Sequence, residues 1–228
     1  MDVLEVAALH RRSAQLGSVG PEDGEVVLYF HSPASSGEEL NDAAAAAAEL
    51  RLRLLTVRRP SIVCEEASRL IDTVAANVAA IADALGLKSL VVLGWSGGAP
   101  YALAASARLG SMATSIHLVS PLPGSLTGSD AVPGQSERLR QVATTTATSS
   151  WVSGPAALRD YQAVAAPWTF DVRDVGQPVT IWSPSEDEIV PPPMIERLRQ
   201  RLPDASIVEV AGDHGWLTEN WGTVLSRL

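Results

Sequence analysis

Leu90-Val91-Val92-Leu93-Gly94-Trp95-Ser96-Gly97-Gly98-Ala99-Pro100-Tyr101 is the stretch on which the reading of this chain turns. The apolar run Leu90 to Leu93 is short and continuous, as in a strand buried on both faces. From Gly97 to Leu109 the pattern is helical, so strand passes into helix at Ser96. A serine on that corner carries its hydroxyl clear of its neighbours. The residues two before and two after it come close together there, and both Gly94 and Gly98 are small enough. The helix N-terminus beyond Ser96 points free N–H groups at the same place, and the N–H of Gly97 can stabilise a developing oxyanion. The competing reading is a glycine-rich turn that packs a helix closely on a sheet; the strand-then-helix context favours chemistry.

Working outward, strands and helices alternate. Val26 to Phe30, Leu54 to Val57, Ile116 to Val119, Val179 to Trp182 and Ile207 to Val210 read as further buried strands between turn signals. Helices are expected from an Asn41 or Asp42 cap to Leu50, from Cys64 to Leu85 with Gly86 as the stop, from Met194 to Leu202, and finally to Leu228. The apolar positions Leu70, Val74, Val78, Ile81 and Leu85 recur at helical spacing. Helices between buried strands predict right-handed crossovers and a mostly parallel central sheet flanked by helices, an α/β fold. The alternation lapses over 121–176, rich in Pro, Gly, Ser and Thr, with helical pieces around 136–142 and 155–164. That segment predicts a small helical cap inserted into a core made of 1–120 and 177–228.

The chain has 228 residues, 46% of them hydrophobic, enough for one substantial core. A net charge of −9 and the lack of a basic stripe argue against nucleic acid as a partner. The short basic pairs, Arg58-Arg59 among them, read as solvated faces. Cys64 is the single cysteine, which reads as structural or incidental. No run reaches the roughly 20 apolar residues that span a bilayer, so no membrane role is expected. Met1-Asp2-Val3-Leu4-Glu5 lacks the basic and apolar regions of a signal peptide, which predicts a cytoplasmic location.

A serine nucleophile needs a base, and the base needs an orienting acid. His214, in Val210-Ala211-Gly212-Asp213-His214, follows the last strand and so lies at the sheet edge that carries Ser96. His31 also ends a strand there and is its competitor, whereas His117 sits within a strand and His10 reads as surface. The acid should follow the preceding strand, in Ser183-Pro184-Ser185-Glu186-Asp187-Glu188. Asp187 is preferred, three residues before Val190-Pro191, with Glu186 and Glu188 as alternatives.

With these residues in place the chain resembles the α/β-hydrolase superfamily over nearly its whole length. Pro21-Glu22-Asp23-Gly24 before the strand, Ala84-Leu85-Gly86-Leu87 before Gly94 to Ala102, and Gly212-Asp213-His214 carry the likeness, in the order Ser, Asp, His that the family uses. The resemblance implies an eight-stranded sheet, no cofactor or metal, and hydrolysis of an ester, thioester or related acyl bond of a small molecule. It departs in two loops. The family's His-Gly stretch is replaced by His31-Ser32-Pro33-Ala34, so Ser32 is the expected second oxyanion donor unless Pro33, which has no N–H, takes its place. The loop after Val57 reads Arg58-Arg59-Pro60-Ser61 in place of an acid and glycines. His31, Trp95 and the cap aromatics Trp151, Tyr161 and Trp168 are expected to line a largely apolar substrate pocket, with Phe170 nearby. Two other functions fit the same fold: a lyase or cyclase using the triad without hydrolysis, and a non-catalytic binding scaffold.

Overall fold

Alternate residues of one strand enter different cores, and this period of two builds the molecule. In the strand Glu25–Phe30, Leu28 and Phe30 belong to one buried cluster while Val27 and Tyr29 belong to the other. The computed structural model describes residues 1–7, 13–33, 35, 37–59, 64, 66–123 and 154–228. In chain order its strands are β1 (Asp2–Ala7), β2 (Ser13–Val19), β3 (Glu25–Phe30), β4 (Leu52–Val57), β5 (Leu90–Trp95), β6 (Ala113–Val119), β7 (Val179–Pro184) and β8 (Ala205–Val210). They form one sheet in the order β1-β2-β4-β3-β5-β6-β7-β8. From β4 to β8 every pairing is parallel; β1 and β2 join antiparallel at one edge.

The described helices are α1 (Ala44–Glu49), α2 (Leu70–Ala84), α3 (Ala99–Leu109), α4 (Gly154–Ala165), α5 (Pro192–Arg201), α6 (Trp216–Glu219) and α7 (Trp221–Leu225). Buried residues of α2, α3 and α5 pack on one face of the sheet with Ala163 and Val164 of α4, while α1, α6 and α7 cover the other. Leu70, Val74, Val78 and Ile81 make the buried stripe of α2. The helix starts at Leu70, where the stripe starts, rather than at Cys64, and Gly86 at φ 65° follows its end. The Asn41 or Asp42 cap does not form. Ala43 precedes α1 without a side-chain cap, and Asn41 instead accepts from the N-terminal ammonium. The final helix is split at Asn220, whose side-chain amide donates back to the Trp216 carbonyl.

Two strands were not read from the sequence. β1 (Asp2-Val3-Leu4-Glu5-Val6-Ala7) and β2 (Ser13-Ala14-Gln15-Leu16-Gly17-Ser18-Val19) lack the continuous apolar run of a buried strand, and they pair with each other and, through β2, with β4. Of the segment expected to form a cap, α4 and a short 3₁₀ turn at Val172–Asp174 are described; the piece expected at 136–142 and Trp151 lie outside the described residues. Among the described residues no helix is long and apolar enough to cross a membrane.

The chain reverses direction across the sheet between β3 and β5, since β4 lies on one side of β3 and β5 on the other. A crevice opens beyond the carboxyl ends of strands at such a switch point. His31 follows β3 there and Ser96 follows β5.

Candidate active site

Ser96 holds φ at 53°, in the left-handed region that a side chain rarely adopts. Such a backbone costs about 1–3 kcal/mol and persists where the surroundings enforce it. They do so here. A Cβ on Gly94 would lie 2.9 Å from that of Ala102, and one on Gly98 would lie 2.0 Å from the Phe30 carbonyl oxygen. Both glycines therefore let the corner close on α3 and β3, as the spacing predicted. The Leu122 N–H donates to the Ser96 carbonyl at 3.0 Å, a further brace from the segment after β6.

His214 Nε2 lies 2.8 Å from Ser96 Oγ. Its Nδ1 lies 2.9 Å from Asp187 Oδ2 and 3.1 Å from Oδ1. A carboxylate only accepts, so Nδ1 carries the proton and Nε2 is left to accept from the serine hydroxyl. Asp187 is 3% exposed, and its Oδ1 accepts from the N–H groups of Ile189 and Val190 at 2.9 and 2.8 Å. Burial pushes its pKa up; the His214 hydrogen bond and charge, the Val190 N–H and Ser120 more than offset this and hold it below 3.8. Glu186 and Glu188 are both exposed. Asp213 turns to the Gly215 N–H.

Neither a protein-family model nor a curated protein sequence matches the chain. Its backbone does match solved structures. It superposes on carboxylesterase CesB from Bacillus subtilis at a TM-score of 0.69 and 18% identity, over 99% of this chain and 89% of that one. For the bromoperoxidase from Bacillus anthracis the TM-score is 0.77 at 16% identity, over 99% of each chain. For the enol-lactonase from Burkholderia xenovorans it is 0.73 at 14%, over 98% and 97%. An α/β-hydrolase fold protein from Nakamurella multipartita matches at 0.62 and 20%, over 99% and 97%. The chain has the α/β-hydrolase fold.

Within this fold the remaining expected site residues divide. Trp95, expected to line the pocket, is half-buried and its indole N–H donates to the His214 carbonyl at 3.1 Å. It thus ties the base's loop to the serine's own strand. His31 has no exposed surface, and its Nδ1 hydrogen-bonds the Ser32 carbonyl oxygen at 2.8 Å. Burial first, and then the Arg59 charge, hold its pKa well below 6.5, so it is neutral. His31 is not the partner of Ser96. Burial also lowers His117, within β6, to about 4. Tyr161 is buried on α4, and Trp168 stacks on Phe170 with ring centroids 5.2 Å apart against the first core cluster.

Ser32 is buried at the turn it forms with Ser35, whose N–H donates to its carbonyl at 3.0 Å. What meets Gly97 from this loop is Pro33. A Cβ on Gly97 would lie 2.6 Å from both Cδ and Cγ of the proline, with Leu122 Cδ1 at 3.5 Å.

Arg59 is a correction to the sequence reading. It is completely buried, not solvated. Its Nε donates to Asp160 of α4 at 2.7 Å, and its guanidinium lies 4.5 Å from the Tyr101 ring centroid. The Tyr101 hydroxyl donates to the same carboxylate at 2.9 Å. The ion pair binds α4 to the segment after β4, and the Tyr101 hydrogen bond binds it to α3, the helix that begins beside Ser96. An Arg pair in sequence carries no sign of that, because the partner is 101 residues away. Trp95 and Leu122 were missed as supports for the same reason: one acts through a long-range side-chain contact and the other through its backbone N–H.

Proposed function

We propose that this chain is a serine hydrolase that cleaves an ester, thioester or related acyl bond of a small, largely apolar molecule. The observation that carries the reading is the unbroken path Ser96 Oγ to His214 Nε2 at 2.8 Å and His214 Nδ1 to Asp187 at 2.9 Å. His214 takes the serine proton as Ser96 Oγ bonds to the acyl carbon. Asp187 holds the imidazole in the required tautomer and stabilises the imidazolium that forms. The N–H of Gly97, first after the nucleophile, stabilises the charge that develops on the carbonyl oxygen. Collapse expels the leaving group, which takes the proton from His214, and water activated by the restored His214 releases the acid. Pro33 and Leu122 beside Gly97 give the reacting carbonyl apolar walls. The carboxylesterase and enol-lactonase names among the structural neighbours support ester chemistry.

A serine-directed phosphonate should label the wild-type chain at Ser96, and Ser96→Ala should lose the label together with turnover by a factor of about 10⁴ or more. Undiminished labelling of that variant would sink the assignment. The proline facing Gly97 favours one alternative, a lyase or cyclase using the same triad. Solvent oxygen-18 appearing in the acid product supports hydrolysis, and its absence supports the alternative.

A further inference from the structure

The loop after β3 is locked in place. Ser32 O is held by the Ser35 N–H and the His31 ring, and a Cβ on Gly98 would meet the carbonyl oxygens of Phe30 and His31 at 2.0 and 2.7 Å. The proline ring edge lies on Gly97 so closely that any side chain at 97 would collide with it. In proline, Cδ is bonded to nitrogen at the position where every other residue carries its amide hydrogen. That position contacts Gly97, and it holds carbon.

We propose that among the described residues the oxyanion site has one backbone donor, the Gly97 N–H, with Pro33 standing where Ser32 was expected to supply the second. We propose also that the site therefore works on acyl groups attached to stabilised leaving groups. Thioesters and aryl or enol esters are cleaved, and alkyl esters of the same size are poor substrates. The proposal rests on the Ser96–His214–Asp187 reading above. Removing one donor from a two-donor hole costs about 10²–10³ in rate. A more electrophilic carbonyl offsets that loss. The serine oxygen bonds to the acyl carbon, the carbonyl π pair moves to oxygen, and His214 holds the proton. When the pair returns, the C–S or C–O bond breaks, a thiolate, phenolate or enolate departs with its electrons, and it then takes the proton from His214, which is again free to act as base. Such a leaving group needs little help from the proton on His214, whereas an alkoxide cannot leave without it.

The test is a series of acetyl esters from alkyl to aryl to thioester, assayed on the whole chain beside hydroxide hydrolysis of the same compounds. The expected result is a steeper dependence on leaving-group pKa than hydroxide shows, with alkyl esters at least about 10² below aryl esters in kcat/KM. Pro33→Ala, which returns an N–H, should raise the alkyl rate about 10- to 10²-fold, with Ser96 still labelled by phosphonate. A wild-type slope no steeper than that of hydroxide overturns the one-donor site. So does an unchanged alkyl rate in a folded Pro33→Ala protein. In either case Ser96 labelling leaves the hydrolase reading standing. If the variant does not fold, the wild-type series decides alone. Failure to label wild-type Ser96 overturns both.

Discussion

The two flanks of Ser96 are built from different interactions. On the His214 side, Asp187 accepts from two backbone N–H groups and from the imidazole, and Trp95 donates to the His214 carbonyl. On the other side, the loop from His31 to Pro33 is held by a turn, a buried neutral histidine and the contact of Pro33 with Gly97. One flank holds His214 by hydrogen bonds. The other holds Pro33 against Gly97 by packing. On the proposed reading, a site so divided moves protons well and is selective about which carbonyls it activates.

Asp187→Asn should separate the flanks most sharply. It retains the shape but favours the wrong imidazole tautomer, so kcat falls by a factor of about 10⁴ while substrate KM changes little. Steady-state kinetics that show a loss below tenfold would mean the His214 flank is not the one that matters.

Acid titration of stability distinguishes the flanks by pH window. His31 has a folded pKa well below 6.5, so below pH 6.5 the unfolded chain binds a proton that the native one refuses. Stability therefore drops as pH falls from 6.5 toward the folded value, with a slope of at most about 1.4 kcal/mol per pH unit from this residue. His117 adds a similar contribution down to about pH 4. Asp187, lowered from 3.8, contributes stability that is present above pH 3.8 and is lost as pH falls through its folded pKa. Denaturant midpoints for His31→Gln should show a shallower decline between pH 6.5 and 4. Those for Asp187→Asn should differ in slope from wild type only below about pH 4. The same slope for His31→Gln and wild type would place His31's titration elsewhere.

The smallest effect is expected from Trp95→Phe, which keeps an aromatic ring and removes one hydrogen bond of about 0.5–1.5 kcal/mol. Turnover should fall about two- to tenfold and phosphonate labelling should slow in proportion, with the thermal midpoint nearly unchanged. A rise in KM at constant kcat would return Trp95 to the substrate pocket.

The parallel part of the sheet was legible because buried strands are continuous apolar runs. The corner at Ser96 was legible because only small residues fit two positions either side of it. The acid was legible to within a three-residue window. Asp187 is buried where Glu186 and Glu188 are exposed, and the N–H groups of Ile189 and Val190 meet its carboxylate there. β1 and β2 were not legible, since polar residues and glycine break their apolar positions and they are strands by pairing at the sheet edge. Nor was Arg59, whose charge is tolerated in the core because Asp160 meets it from a distant helix.

The sequence by itself determined the α/β alternation, the serine corner and the Ser, Asp, His order of the candidate triad, because each depends on local period, residue size or position after a strand. Only the tertiary structure decided that His214 rather than His31 meets Ser96, that Trp95 braces the base, and that Pro33 rather than Ser32 lies against Gly97. Those outcomes depend on which distant backbones come within about 3 Å of each other, a property of packed elements that no spacing along the chain records.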